Sequence, residues 1–300
     1  MKIYIQDHSS HAGKWIYNGY AHAWTYLDHE VKFINDLSEV NTNQQYKLFI
    51  CDSKVNKQNI DILKNSIITY LYVQPNTFPK PWGDHPNFQC SIGDYLINEL
   101  NSYKNVLKWN FAFSFPYHTK WNNIISVPLA FDDINYNHTI PNSFEYDICF
   151  IGSIANNGFN EKVIIMQETL NYFIENSGLK CAFAVDRNLS HEQENQILLQ
   201  SKIALNIHDA YQRYLGLDTN ERTFKSLGCT GILVSDNIKQ AKDLFNFSFF
   251  DNNLKNLVEQ AKQICSLKND ELINIKKKNQ KVILENHTYI NRVQQLLSCI

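Results

Sequence analysis

Glycine and methionine are scarce in this chain, at 10 and 2 of 300 residues, and proline numbers 7. No run of apolar residues approaches the roughly 20 needed to cross a bilayer as a helix, and MKIYIQDHSS lacks the apolar stretch of a secretory leader. There is no excess of charge of one sign: 28 basic residues face 30 acidic ones, a formal net charge of −2. That excludes a global basic field of the kind that draws a protein to a nucleic-acid backbone. The seven cysteines, Cys51, Cys90, Cys149, Cys181, Cys229, Cys265 and Cys299, are odd in number and form no CxxC. They read as reduced, mostly buried thiols rather than a disulfide framework. Walker A, GxGxxG and DxD sequences are all missing, as are tandem repeats. What remains, 44% hydrophobic and 19% charged with 13% aromatic residues, is a globular composition and neither disordered nor fibrous.

What is present is alternation. KIYI (2–5) reads as a strand, 19–28 as a helix, EVKFIND (30–36) and YKLFICD (46–52) as strands, 57–67 as helical and ITYLYVQP (68–75) as a strand. A loop rich in proline and aromatics (76–88) leads to a helix near 92–102 and short strands near 105–109 and 124–128. Residues 130–146 are polar and aperiodic and read as a linker. The alternation then restarts with YDICFIGS (146–153), an almost continuous apolar strand suited to burial on both faces. A helix over 161–175 puts Val163, Met166, Leu170 and Phe173 on one face. Strands at 180–186, 202–209, 231–236 and 247–251 follow, with helices at 190–201 and at 220–228, the latter closed by Gly228. The basic run KKKNQK (276–281) reads as a solvated helix face, with contact to an anionic membrane surface or glycan as its functional alternative. The pattern implies two tandem Rossmann-like, doubly wound α/β domains, whose ligands sit at the carboxyl edges of the strands, here across an interdomain cleft.

Two places invite chemistry. Gly152 and Ser153 close a buried strand before a helix, which suits an anion on free helix N–H groups or is an ordinary tight turn. The second is the stretch from Leu205 to Asp236. There a strand ends in Asn206 and His208, a long loop follows, and a helix begins at Asn220, Arg222 and Thr223. Arg222 near a helix start suits a diphosphate, or else pairs with Asp218 or Glu221 on the surface.

NERTFKSLGCTGILVSDN (220–237) resembles the donor-binding segment of GT-B glycosyltransferases, in particular the spore-maturation-protein-like branch of the group 1 transferases. VPLAFDD (127–133), YDICFIGS, SKIALNIH and HTYINRVQQLL (287–297) resemble further segments of that branch in the expected order. The resemblance implies an acceptor-side domain over 1–133, a linker over 134–145, a donor domain over 146–285, and a closing helix over 286–300 that packs back on the N-terminal domain. It implies a nucleotide-diphosphate sugar donor of UDP or GDP type, a glycan or other hydroxyl acceptor, no cofactor and no metal. The donor set it suggests is Gly152, Ser153, His208, Asn220, Arg222, Thr223 and Lys225. At Lys225 the family carries a ribose-binding glutamate; Glu221 one turn earlier is a substitute, and Lys225 is left for a phosphate or an acidic sugar.

A base for the acceptor proton is expected from the N-terminal domain. Asp7 and His8 directly follow the first strand. Lys14, Trp15, Gly19 and Tyr20 are candidates for the acceptor side, since aromatic rings stack on sugars, although Tyr20 and Trp24 at helical spacing also suit a core. His85 and His118 lie in aromatic-rich loops, His191 reads as an exposed first-turn residue, and His287 as a helix-start residue packing the last helix. Three readings compete with the transferase: a nucleotide-sugar 2-epimerase, a non-catalytic two-lobed binding protein, and sugar transfer onto nucleic-acid bases. The expected location is the cytoplasm, with peripheral membrane contact open.

Overall fold

The computed structural model describes residues 1–84, 92–154, 161–216 and 218–299; His85 and Cys90 lie outside them. Two compact units emerge, the first built from Met1–Pro128 with Tyr289–Ile300 and the second from Leu129–Thr288.

The first unit holds strands β1 (Lys2–Gln6), β2 (Glu30–Ile34), β3 (Tyr46–Cys51), β4 (Ile68–Tyr72), β5 (Val106–Asn110) and β6 (Ile125–Ser126). Its helices are α1 (His11–Tyr26), α2 (Ile60–Lys64), α3 (Asp94–Ser102) and, from the chain end, α11 (Tyr289–Leu297). The sheet order is β2-β1-β3-β4-β5-β6, and the pairings are parallel. Alternate residues point to opposite faces. Tyr4, Leu48, Ile50, Leu71 and Val106 therefore share one core with Leu63, Leu96, Ile97 and Leu100 of α2 and α3. On the other face Phe49, Tyr70 and Trp109 meet α1 and α11: the Tyr20 ring lies 4.5 Å from Phe49 and 4.9 Å from Tyr289. Helix α1 begins eight residues before the expected start at 19. Ser10 caps it by accepting the Gly13 N–H, a strong start signal that the two internal glycines obscure in the sequence.

The second unit holds β7 (Tyr146–Gly152), β8 (Cys181–Val185), β9 (Ser201–Asn206), β10 (Leu233–Ser235) and β11 (Phe249–Phe250). Around them lie α4 (Glu161–Asn176), α5 (His191–Leu199), α6 (Ala210–Leu215), α7 (Glu221–Thr230), α8 (Lys239–Leu244), α9 (Leu254–Cys265) and α10 (Asn269–Asn286). The order is β11-β10-β9-β7-β8, again parallel. Met166, Leu170 and Phe173 of α4 do face the core, with Leu257, Val258 and Ala261 of α9. The long loop expected after β9 contains α6. Helix α7 runs past Gly228 and ends at Gly231, whose φ of 71° is the left-handed cap that glycine accepts at little cost. Gly228 is interior to the helix because a Cβ there would stand 2.5 Å from the Phe131 ring.

The basic run on α10 is not one solvated face. Leu272, Lys276, Asn279, Gln280 and Ile283 recur at helical spacing and are all buried, while Lys277, Lys278 and Lys281 are exposed. Among the described residues no helix is long and apolar enough to cross a membrane.

Candidate active site

Counted within itself, the second unit has the strand order 2-1-3-4-5, and the first has the same order with a sixth strand added at the end. In each, the first crossover runs one way and the next the other. Such a reversal opens a crevice at the carboxyl ends of the first and third strands, where doubly wound sheets take their ligands. In the second unit those strands are β7 and β9, and there the structure gathers Gly152, Asn206 and Arg222.

Arg222 reaches this edge from the first turn of α7. Its guanidinium carbon lies 4.6 Å from the centre of the Phe150 ring on β7. Nη1 donates to the Ile207 carbonyl at 3.1 Å and to Asn206 Oδ1 at 3.4 Å. Nη2 lies against Gly152, so close that a Cβ on residue 152 would stand 2.3 Å from it. The glycine of the FIGS turn is thus the floor for the arginine, and Ser153 beside it is exposed. Asn220 caps α7: its Oδ1 accepts the Thr223 N–H at 3.1 Å and its Nδ2 donates to the Ile207 carbonyl at 3.2 Å. Helix dipole and guanidinium together favour an anion at this edge.

His208 and Thr223 sit beneath the edge, not at it; their relative exposures are 1% and 0%. His208 Nδ1 lies 2.7 Å from Asp236 Oδ1 and Nε2 lies 2.7 Å from Thr219 Oγ1. The ring is thus held between the Asp236 carboxylate and the Thr219 hydroxyl. Burial opposes ionisation of Asp236, but His208 and Arg213 outweigh it and hold that carboxyl below its usual range. Thr223 Oγ1 lies 2.9 Å from Asn206 Nδ2 and 2.8 Å from Thr219 Oγ1. These two residues, expected as donor ligands, act here by fixing the loop that carries Asn220 and Arg222.

Lys225 also turns inward. Its Nζ is 2.5 Å from Glu194 on α5 and 3.5 Å from Glu221, and the Tyr136 hydroxyl donates to the other Glu194 oxygen at 2.8 Å. Two carboxylates already neutralise the ammonium, which removes it as a free cation for a phosphate or acidic sugar. Nothing local in the sequence marks Glu194 as the partner, 31 residues away. His191, expected as exposed, is partly covered, its ring 4.1 Å from Tyr136. His287 is the C-cap of α10 and packs 5.1 Å from Phe245.

In the first unit β1 and β3 form the corresponding reversal, and a cavity of about 610 Å³ opens there, lined by Gln6, Asp7, His8, Ser9, Lys14, Asn35, Ser53 and Lys54. Asp7, His8 and Lys14, all singled out in the sequence, thus share one cavity. Asp7 Oδ1 accepts the His8 backbone N–H at 2.9 Å. Trp15, half-buried on α1, does not line it. Gly19 and Tyr20 are core residues: Tyr20 is fully buried, and a Cβ at Gly19 would stand 2.3 Å from the Tyr289 ring. They hold α11 to α1 and offer no surface to an acceptor. His118 is buried in its loop, and burial drops its pKa to about 4. Asn35, Ser53 and Lys54 were missed, although Ser53 and Lys54 follow a strand just as Asp7 and His8 do.

Residues 160–298 match the model of a family described as glycosyl transferase-like. Solved structures are similar along the whole chain. One is T4 phage BGT in complex with its UDP-glucose substrate (TM-score 0.53, 11% identity, 98% of this chain and 97% of that chain). A second is an α-glucosyltransferase in complex with UDP and a 13-mer DNA (TM-score 0.60, 12% identity, 100% and 99%). A third is a trehalose-6-phosphate synthase studied with bisubstrate glycomimetics (TM-score 0.55, 11% identity, 97% and 79%). No curated protein sequence matches the chain. The fold is thus that of GT-B glycosyltransferases, and the second unit carries most of the match to the glycosyl transferase-like family.

Proposed function

We propose that the chain transfers a glycosyl group from a uridine-diphosphate sugar to an acceptor hydroxyl, with the second unit binding the donor and the first the acceptor. The observation that carries this reading is Arg222 laid over Gly152 and Phe150 at the start of α7. In the transfer the bond from the sugar's anomeric carbon to the β-phosphate oxygen breaks. A bond to the acceptor oxygen forms, and the acceptor proton goes to a base. Charge grows on the leaving diphosphate, and preorganised donors at that point lower the barrier. Arg222 and the N-terminus of α7 supply them, so the reading includes no metal. Structural neighbours captured with UDP or UDP-glucose support a uridine donor.

Asp7 is the base in this reading. His8 does not suit the role, because its Nδ1 already accepts the Ser10 N–H at 3.1 Å. Glu221, which also faces Lys225 Nζ at 3.5 Å, is the carboxylate on α7 assigned to the donor hydroxyls in this reading. The order of the motifs from 127 to 297 supports placement in the spore-maturation-protein-like branch.

The test is a melting-shift screen of UDP, GDP, CMP and dTDP against the full chain. A ligand at about 100 times its Kd adds roughly 2.7 kcal/mol, a rise of several degrees. UDP should give that rise, Arg222→Ala should abolish it, and turnover should survive EDTA. No shift with any nucleotide, or an undiminished shift in Arg222→Ala, overturns the donor assignment. Conversion of the donor to its epimer without acceptor would mark a 2-epimerase instead.

A further inference from the structure

The cavity at the β1/β3 reversal has a chemistry of its own. Three of its lining side chains carry or present positive charge or N–H donors. Lys14 stands exposed on the first turn of α1, whose N-terminus adds its partial positive charge. Lys54 comes from beyond β3, its Nζ donating to the Asn35 carbonyl at 3.1 Å. Among the described residues neither ammonium forms a close salt bridge, although the Asp36 carboxylate feels the charge of Lys54. The third is His8. Its Nδ1 accepts the Ser10 N–H at 3.1 Å and lies 2.9 Å from the Ser10 hydroxyl, whose oxygen in turn accepts the Gly13 N–H at 3.1 Å. Burial and the nearby Lys54 hold the ring's pKa below its usual value. The ring is therefore neutral at neutral pH with its proton on Nε2, a hydrogen-bond donor.

Against these donors stands one carboxylate in the lining, Asp7. An anion alone would gain from Lys14 and Lys54 and be repelled by Asp7. A neutral sugar would satisfy Asp7 and leave two lysines idle. A molecule carrying both an anionic group and a hydroxyl uses the whole lining. The volume of about 610 Å³ lies in the range that encloses one small ligand.

We propose that this cavity binds a sugar monophosphate as the acceptor, with Lys14, Lys54 and His8 around the phosphate and Asp7 at the hydroxyl that is to be glycosylated. The proposal rests on the transferase reading and adds the acceptor's class to it. Hydroxyl and phosphate must reside on one compact molecule. A nucleic-acid strand also carries both groups, but a volume of about 610 Å³ matches a single small ligand.

Titration calorimetry on the full chain, with and without saturating UDP, decides the matter. The probes are hexose 1- and 6-phosphates, the parent hexoses, inorganic phosphate and a single-stranded oligonucleotide. At least one hexose phosphate should bind tenfold or more tighter than its parent hexose and than inorganic phosphate. Lys14→Met/Lys54→Met should weaken that binding tenfold or more while the UDP affinity stays unchanged. If the double variant does not fold, Lys14→Met alone, at an exposed helix position, should cost at least threefold. The proposal is overturned if UDP binds and no hexose phosphate does, if hexose and hexose phosphate bind equally, if the oligonucleotide binds more tightly than every hexose phosphate, or if the lysine variants bind as the parent does. Failure of UDP to bind strikes the donor reading instead, and the phosphate arms still decide the cavity.

Discussion

A methyl group at position 152 would stand 2.3 Å from Arg222 Nη2. The clash falls on the far end of a long side chain, which swings away at small cost, so the backbone is spared. Gly152→Ala should therefore keep the apo melting temperature within a few degrees and still lower UDP affinity at least tenfold, read by calorimetry. A guanidinium–phosphate pair is a charge-assisted bond, and such bonds contribute about 1.5–3 kcal/mol. At Gly19 the same substitution has a different outcome, because the atoms in the way are the Tyr289 ring, packed in the core. There is no exposed tip to displace, and overpacking costs about 1–3 kcal/mol. Gly19→Ala should lower the melting temperature, with the UDP-induced rise preserved. The sequence marks both glycines as candidates and cannot separate them, since the difference lies in what a distant residue places against each.

At the scale of the element, α10 shows how a charge run misleads. Lys276 is fully buried, its Nζ donating to the Ser201 and Lys202 carbonyls at 2.8 and 2.7 Å and lying 4.5 Å from the Phe144 ring. Burial lowers its pKa to about 7. The thiols that face it are pushed up by their own burial, Cys149 to about 11 and Cys265 to about 12, with Cys229 higher still, so they stay neutral. Between about 7 and the ordinary lysine value of 10.5 the unfolded chain holds a proton at this site that the folded chain does not. Stability must then rise with pH across that window. Lys276→Met should remove this slope, which amounts to at most about 1.4 kcal/mol per pH unit. Urea unfolding of both proteins at pH 6.5 and pH 9.5 measures it; equal slopes in parent and variant would refute the burial effect. Read from sequence, the whole run 276–281 is a solvated face, because charge outweighs the helical spacing that sets Lys276 in line with buried Leu272 and Ile283. The caps were more legible. Ser190 and Gln193, a pair with capping-box spacing, form that box at the start of α5, and Asn220 starts α7. Each is a contact over three residues, within the reach of local sequence.

At the scale of the whole molecule, the two units share the order of their first five strands, and each collects polar residues where that order reverses. Donor binding should accordingly be felt unevenly. Hydrogen exchange measured with and without saturating UDP should show protection at the ends of β7 and β9 and in the first turns of α7. Residues 1–128 should change little. Uniform protection along the chain, or protection confined to the first unit, would contradict the placement of the donor.

The sequence by itself determined the alternation of strands and helices, most of the core faces, the caps of α5 and α7, and the resemblance that runs from 127 to 297. Those features rest on periods of two and 3.6 residues or on contacts between near neighbours. Only the tertiary structure decided the order of the strands, and with it which strand ends meet. Gly152 and Arg222 are 70 residues apart, Lys225 and Glu194 are 31 apart, and Gln6 Oε1 accepts the Cys51 N–H at 2.8 Å across 45 residues. Such pairings follow from which faces bury each other, a choice made by the folded chain as a whole. The crevices, the inward turn of Lys225 and the cavity of Asp7 and Lys54 therefore had no local signature.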